Sequence, residues 1–154
     1  MIIWGIVGNS HDASVAVFEE GPTKDLACRW AGLSKDFSGI EHDPHLNHDL
    51  IQHITITEQL PRPDKIVWYE KPFLKSMRQL QAGQGWLFGE NNIKRYLSKW
   101  NLYQPIEYAK HHRAHAAYGY YTSGLENATI MCLDSIGEYE TFTIWTVSYT
   151  HLRA

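Results

Sequence analysis

Three short apolar runs open the chain before any pattern long enough for a helix. Ile2 to Val7, Ala13 to Phe18 and Asp25 to Trp30 are each of strand length. The breaks between them, Gly8-Asn9-Ser10-His11-Asp12 and Glu19-Glu20-Gly21-Pro22, are polar turns too short for a helical crossover. Neighbouring runs must therefore pair antiparallel, as a meander. The pattern then changes. Leu46 to Leu60 puts Leu46, Leu50, Ile54 and Thr57 on one helical face, and Pro61 and Pro63 stop it. Asn47 stands where a helix N-cap would be.

Farther along, strands are predicted at Lys65 to Tyr69, Pro105 to Ala109, Thr129 to Leu133 and Thr141 to Trp145. Helical patterns cover Asn91 to Trp100 and His111 to Tyr121. Phe73 to Gln81 also has helical spacing, although Gly83, Gly85 and Gly89 break the pattern beyond it. The order β-β-β-α-β-α-β-α-β-β suits an α/β fold, a mixed sheet with helices on its faces.

The chain has 154 residues, about one domain's worth. Its net charge of −3 supplies no positive field to track phosphates, which argues against nucleic-acid binding. Two cysteines, Cys28 and Cys132, cannot build a disulfide framework, so a reducing compartment is expected. No run approaches the roughly 20 apolar residues of a membrane helix, and the first residues lack the basic region of a signal peptide. A cytoplasmic protein with no membrane partner is the expectation.

Nine histidines stand out in that composition. The sharpest motif is His111-His112-Arg113-Ala114-His115-Ala116. His111 and His115 are four apart, so on a helix they share a face and can reach one metal ion. His112 points about 100° away and is not expected on the same ion. A helix that merely buries one histidine and exposes two has the same spacing. Asp134 closes the apolar strand Ile130-Met131-Cys132-Leu133. It is placed either as a third ligand beside the histidines or as the cap of a tight turn. The Gly8–Ser14 turn can present amides and hydroxyls to an anion, and His11 beside Asp12 could move a proton. Turn residues alone would also explain it. His42-Asp43-Pro44-His45-Leu46-Asn47-His48 is read as a solvated loop leading into a helix. Gly83-Gln84-Gly85 lacks the Lys-Ser/Thr of a P-loop.

Taken in order, Ser10-His11-Asp12-Ala13-Ser14, His111-His112-Arg113-Ala114-His115-Ala116 and Asp134-Ser135-Ile136-Gly137-Glu138 resemble the amino-terminal part of the O-carbamoyltransferases of nodulation factors and antibiotics. These are relatives of the tRNA threonylcarbamoyladenosine proteins. The resemblance covers roughly residues 2–145. It implies a ribonuclease-H-like half-domain of the actin-like superfamily, cut before its second half. It further implies iron(II) or another divalent metal on His111 and His115, with Asp134 close to the ion. Asn9, Ser10, His11 and Asp12 would face the acceptor and the carbamoyl group. Ser135, Gly137 and Glu138 would lie near the nucleotide phosphates.

The implied reaction has two steps. Carbamoyl phosphate and ATP give carbamoyl-adenylate in a separate carboxy-terminal domain of the same protein, absent here. The carbamoyl group then passes to a hydroxyl of a small-molecule acceptor, with His11 as a base. Two features depart from the family pattern. Ser135 stands where glycine is usual, and Ser38-Gly39-Ile40-Glu41-His42-Asp43 lacks the expected lysine. Residues 146–154 do not continue the pattern and read as a non-native tail, so residues 1–145 are taken as the family's part. Two other functions remain open: a non-catalytic metal- or nucleotide-binding module, and a fragment of an actin-like sugar kinase. The kinase has no need of the histidine pair.

Overall fold

The computed structural model describes residues 1–85, 88–148 and 151–153, with no description of the side chains at 136, 148 and 151–153. Of the tail read from the sequence, Tyr149, Thr150 and Ala154 lie outside the described residues. The chain divides into two compact units: Met1–Tyr69 with Glu90–Tyr108, and Glu70–Gly89 with Ala109–Ala154.

The first unit is built on a five-stranded mixed sheet, as expected of an α/β chain. Its strands are β1 (Ile2–Val7), β2 (Ser14–Glu20), β3 (Leu26–Leu33), β4 (Lys65–Trp68) and β5 (Ile106–Tyr108), in the order β3-β2-β1-β4-β5. β1, β2 and β3 form the antiparallel meander, and β4 and β5 run parallel to β1. Alternation places Trp4, Ile6, Val15, Val17, Ile66 and Trp68 on one buried face. Against it pack Leu50 of α2 (His48–Gln52), Ile54, and Ile93 and Leu97 of α4 (Ile93–Ser98). A four-residue helix, α1 (Lys35–Ser38), follows β3.

Local chemistry explains several boundaries. The Asn47 side chain accepts the Leu50 N–H at 2.8 Å and caps α2, the role the sequence suggests. The expected helix over Leu46 to Leu60 is corrected in its second half. α2 gives way to a π-helical turn over His53–Thr57, and Thr57 is exposed while Leu46, Leu50 and Ile54 are buried. β3 extends three residues past the predicted Trp30, with a register shift opposite Val17 and Phe18.

The second unit contains α3 (Pro72–Gln81), α5 (His111–Ser123) and a three-stranded antiparallel sheet. Its strands are β6 (Ala128–Gly137), β7 (Glu140–Ser148) and β8 (His151–Arg153). α5 ends at Gly124, whose positive φ suits a residue without a side chain. Ala116 of α5 packs on Cys132 and Trp145. The predicted 135–138 turn is corrected: β6 runs through Gly137, and the chain reverses at Glu138 and Tyr139. No helix among the described residues is long and apolar enough to cross a membrane.

Candidate metal centre

β6 is apolar from Ile130 through Leu133, just before Asp134, and its period of two sorts its side chains. Cys132 is buried against α5 while Met131 and Leu133 are exposed. Asp134 falls on the Cys132 face, toward α5. The ladder breaks at this point: between the pairs Leu133↔Phe142 and Gly137↔Glu140, three residues of β6 stand opposite one of β7. Such a bulge bends the strand and re-aims its side chains.

On α5, His111 occupies the first helical position and His115 lies one turn later. Their rings meet edge to face, with centroids 4.7 Å apart. His111 Nε2 lies 2.8 Å from Asp134 Oδ2 and 3.0 Å from His115 Nε2, and His115 Nε2 lies 3.7 Å from the same Oδ2. Donors about 2.1 Å from one ion at tetrahedral or octahedral angles stand about 3.0–3.4 Å apart. The observed edges bracket that spacing, so the residues fit a divalent cation. Of the groups of three or more His, Cys, Asp and Glu among the described residues, this one brings its ligand atoms within 4.8 Å of one another.

Hydrogen bonds alone serve this triangle poorly. An imidazole nitrogen carries either a proton or a lone pair, never both. If His111 Nε2 donates to Asp134, it offers nothing to accept from His115. If it accepts from His115, its lone pair is spent and Asp134 receives no donor there. A cation satisfies all three donors at once. Burial pushes the Asp134 carboxyl up. The His111 hydrogen bond, the Ser135 amide and the two imidazoles outweigh that and hold it below the usual carboxylate value. It is therefore available as an anionic ligand at neutral pH.

The walls of the site come from Gly137, which the resemblance places near the nucleotide phosphates, and from His112 and Thr143, to which the sequence assigns no part. A Cβ on Gly137 would stand 3.0 Å from His111 Cγ and 2.9 Å from His112 Cδ2, and closer still to His111 Cδ2. Gly137 thus makes room for both rings. His112, fully buried, is turned away from the triangle as its helical angle requires, and its Nδ1 lies 2.8 Å from Thr143 Oγ1. Thr143 also accepts the Trp145 indole N–H at 2.8 Å. Ser135 is exposed, with its hydroxyl 3.5 Å from Asp134 Oδ1. Glu138 is buried, and its carboxylate accepts the Lys71 N–H at 2.6 Å.

The remaining sequence candidates belong to the first unit. Asn9 and Asp12 adopt positive φ, tolerable for these residues, and shape the turn after β1. Asn9 donates its side-chain amide to the Glu90 carbonyl at 3.1 Å, and Ser10 is exposed. His11 Nδ1 lies 2.9 Å from Asp12 Oδ2, and His42 Nδ1 lies 3.2 Å from Asp12 Oδ1. The His11 hydrogen bond, followed by that of His42, holds the Asp12 carboxyl below its usual value. His42 was not expected here. The segment read as a solvated loop is in part fastened to the turn: Asn9 N–H donates to the Pro44 carbonyl and Ala13 N–H to that of Asp43, both at 2.7 Å. Asp43 itself is buried.

No protein-family model matches the chain. Among curated proteins it is similar to the uncharacterized protein sll1178 of Synechocystis sp. (strain ATCC 27184 / PCC 6803 / Kazusa), 25% identical over 169 aligned positions. The match takes in 93% of this chain and 27% of that protein, so the chain spans about a quarter of its relative's length.

Proposed function

We propose that the chain is the amino-terminal part of an O-carbamoyltransferase of the nodulation and antibiotic type, and that His111, His115 and Asp134 hold its divalent metal. The convergence of three donor atoms from α5 and β6 is the observation that carries this reading. Two imidazoles and one carboxylate suit iron(II), zinc or manganese and leave coordination positions open. In this reading the first unit is the ribonuclease-H-like half of an actin-like fold, supported by its meander followed by two parallel strands. The greater length of the cyanobacterial relative supports a larger protein, with the second half and the adenylate-forming domain beyond residue 145. The setting is cytoplasmic.

The metal would supply Lewis-acid polarisation of the bound carbamoyl donor. His11 and Asp12 supply the proton chemistry. With Nδ1–H donated to Asp12, the His11 Nε2 lone pair is left to take the proton of the acceptor hydroxyl. The hydroxyl oxygen then attacks the carbamoyl carbon of carbamoyl-adenylate, the carbon–oxygen bond to phosphate breaks, and AMP leaves. Within the second unit the exposed Ser135 is the residue proposed to meet the nucleotide, whereas Gly137 backs the histidine rings and the Glu138 carboxylate is taken by the Lys71 N–H. Within the first, Asn9 and Ser10 are proposed to flank the acceptor. Carbamoyl phosphate and ATP enter the reaction through the adenylating domain.

The test is metal content. Protein purified without oxygen should bind one equivalent of iron(II), and His111→Ala and His115→Ala should each abolish tight binding. Metal content unchanged in both variants would sink the site and, with it, the carbamoyltransferase reading that rests on it.

A further inference from the structure

Asp134 and Gly137 sit at the two ends of the β6 bulge, one contributing a donor atom and the other the wall behind the histidine rings. Something must fix the bulge, because its residues lack regular ladder partners. Glu138 is the first residue beyond it. It is a non-glycine residue at φ +44, a conformation that persists only where the surroundings over-determine it. Those surroundings are visible. Its buried carboxylate accepts the N–H of Lys71, the residue just before the first turn of α3, at 2.6 Å. That end of α3 is itself anchored. Lys75 Nζ donates to Glu70 Oε1 at 2.7 Å in a buried pair, and Ser76 Oγ donates to the Pro72 carbonyl at 2.9 Å.

We infer that Glu138 is a positioning residue for the metal site: by tying the end of the bulge to α3, it holds Gly137 against the edge of His111 and keeps Asp134 turned to the two imidazoles. The inference rests on the metal reading proposed above. The contact matters because Cδ2, the atom Gly137 crowds, is bonded to Nε2, the atom that points at Asp134. A small drift of Gly137 would free the ring to tilt. Glu138 acts through its acceptor oxygen rather than through its charge, since its partner is a neutral amide.

The experiment titrates cobalt(II) into metal-free protein and follows the ligand-field spectrum as well as affinity. Glu138→Ala should weaken binding about 10- to 100-fold, as losses of outer-shell support do, and alter the spectrum. Glu138→Gln keeps an acceptor oxygen and should retain the wild-type affinity and spectrum. Gly137→Ala should weaken binding at least about 10-fold, by pushing the His111 ring out of place. Far-UV circular dichroism of the metal-free variants reports folding. Wild-type affinity and spectrum in a folded Glu138→Ala overturn the inference while leaving the metal site standing. If Glu138→Ala does not fold, the other two variants decide, and Glu138→Gln as weak as Gly137→Ala overturns it. A wild-type protein that binds no cobalt overturns the metal reading itself.

Discussion

Tyr96→Phe removes one oxygen atom and leaves the packing in place. Tyr96 is buried in the first unit, with its ring edge-on to Trp68 at 5.7 Å. Its hydroxyl oxygen accepts the Leu46 N–H at 2.9 Å, and Leu46 is almost wholly buried. Phenylalanine fills the same volume but strands that amide away from water. A buried donor left without a partner costs about 1–3 kcal/mol. For a chain of this length each kcal/mol lowers the melting temperature by about 2–4 °C, so a drop of roughly 6 °C is expected. The assay is urea denaturation followed by tryptophan fluorescence. Tyr103→Phe, on an exposed ring, serves as the control and should stay within about 0.5 kcal/mol of wild type.

The same residue gives a pH signature. Burial pushes the Tyr96 phenol up, partly offset by the Leu46 amide. A raised pKa in the folded state means the neutral phenol is favoured there. Its contribution is complete below the unfolded value near pH 10 and is lost as pH rises through the higher folded value. Wild type should therefore weaken in alkali above about pH 10, and Tyr96→Phe should lose less over the same interval. Unchanged urea midpoints for Tyr96→Phe would refute the idea that this hydroxyl satisfies a buried amide.

Two further outcomes are expected. In metal-free protein the Asp134 carboxyl lies below 3.8, so the stability it contributes is present above that pH and is lost as pH falls through the folded value. Acid melts should show Asp134→Asn flattening the curve in that window; an unchanged slope would contradict the contact between Asp134 and the His111 ring. Asn47→Ala should cost about 1–2 kcal/mol through the loss of the α2 cap and of the Nδ2–H bond to the Ser34 carbonyl, and Asn47→Asp, which keeps the cap but faces that carbonyl with a second oxygen, should recover only part of it; an unchanged urea midpoint for Asn47→Ala would show that neither bond matters.

Much of this molecule was legible where chemistry is local. β1 has the predicted bounds because its β-branched run ends in a turn. α5 begins at His111, as its four-residue histidine spacing requires, and Asn47 caps α2 because a short polar side chain suits that position. The meeting of the three side chains was legible in part: helical spacing put His111 and His115 on one face, while Asp134, at the end of an apolar run, read equally as a third ligand or as the cap of a tight turn. The rest depends on partners distant in sequence. Thr143 lies 31 residues from His112, and only the register of β6 against β7 brings them together. Nothing near Glu138 announces Lys71, 67 positions earlier. The π-helical turn over His53–Thr57 keeps Ile54 buried but leaves Thr57 exposed, and the predicted helical face carried no sign of it. Asp43 looked solvated because charged and turn-forming residues surround it, yet the turn after β1 closes over it.

The three candidate donors, the glycine behind them and the glutamate that ties the strand end to α3 all belong to residues 70–89 and 109–154. Each group the proposed cation would need is thus supplied within one unit, and the cobalt(II) spectrum is a reporter of that unit's own geometry.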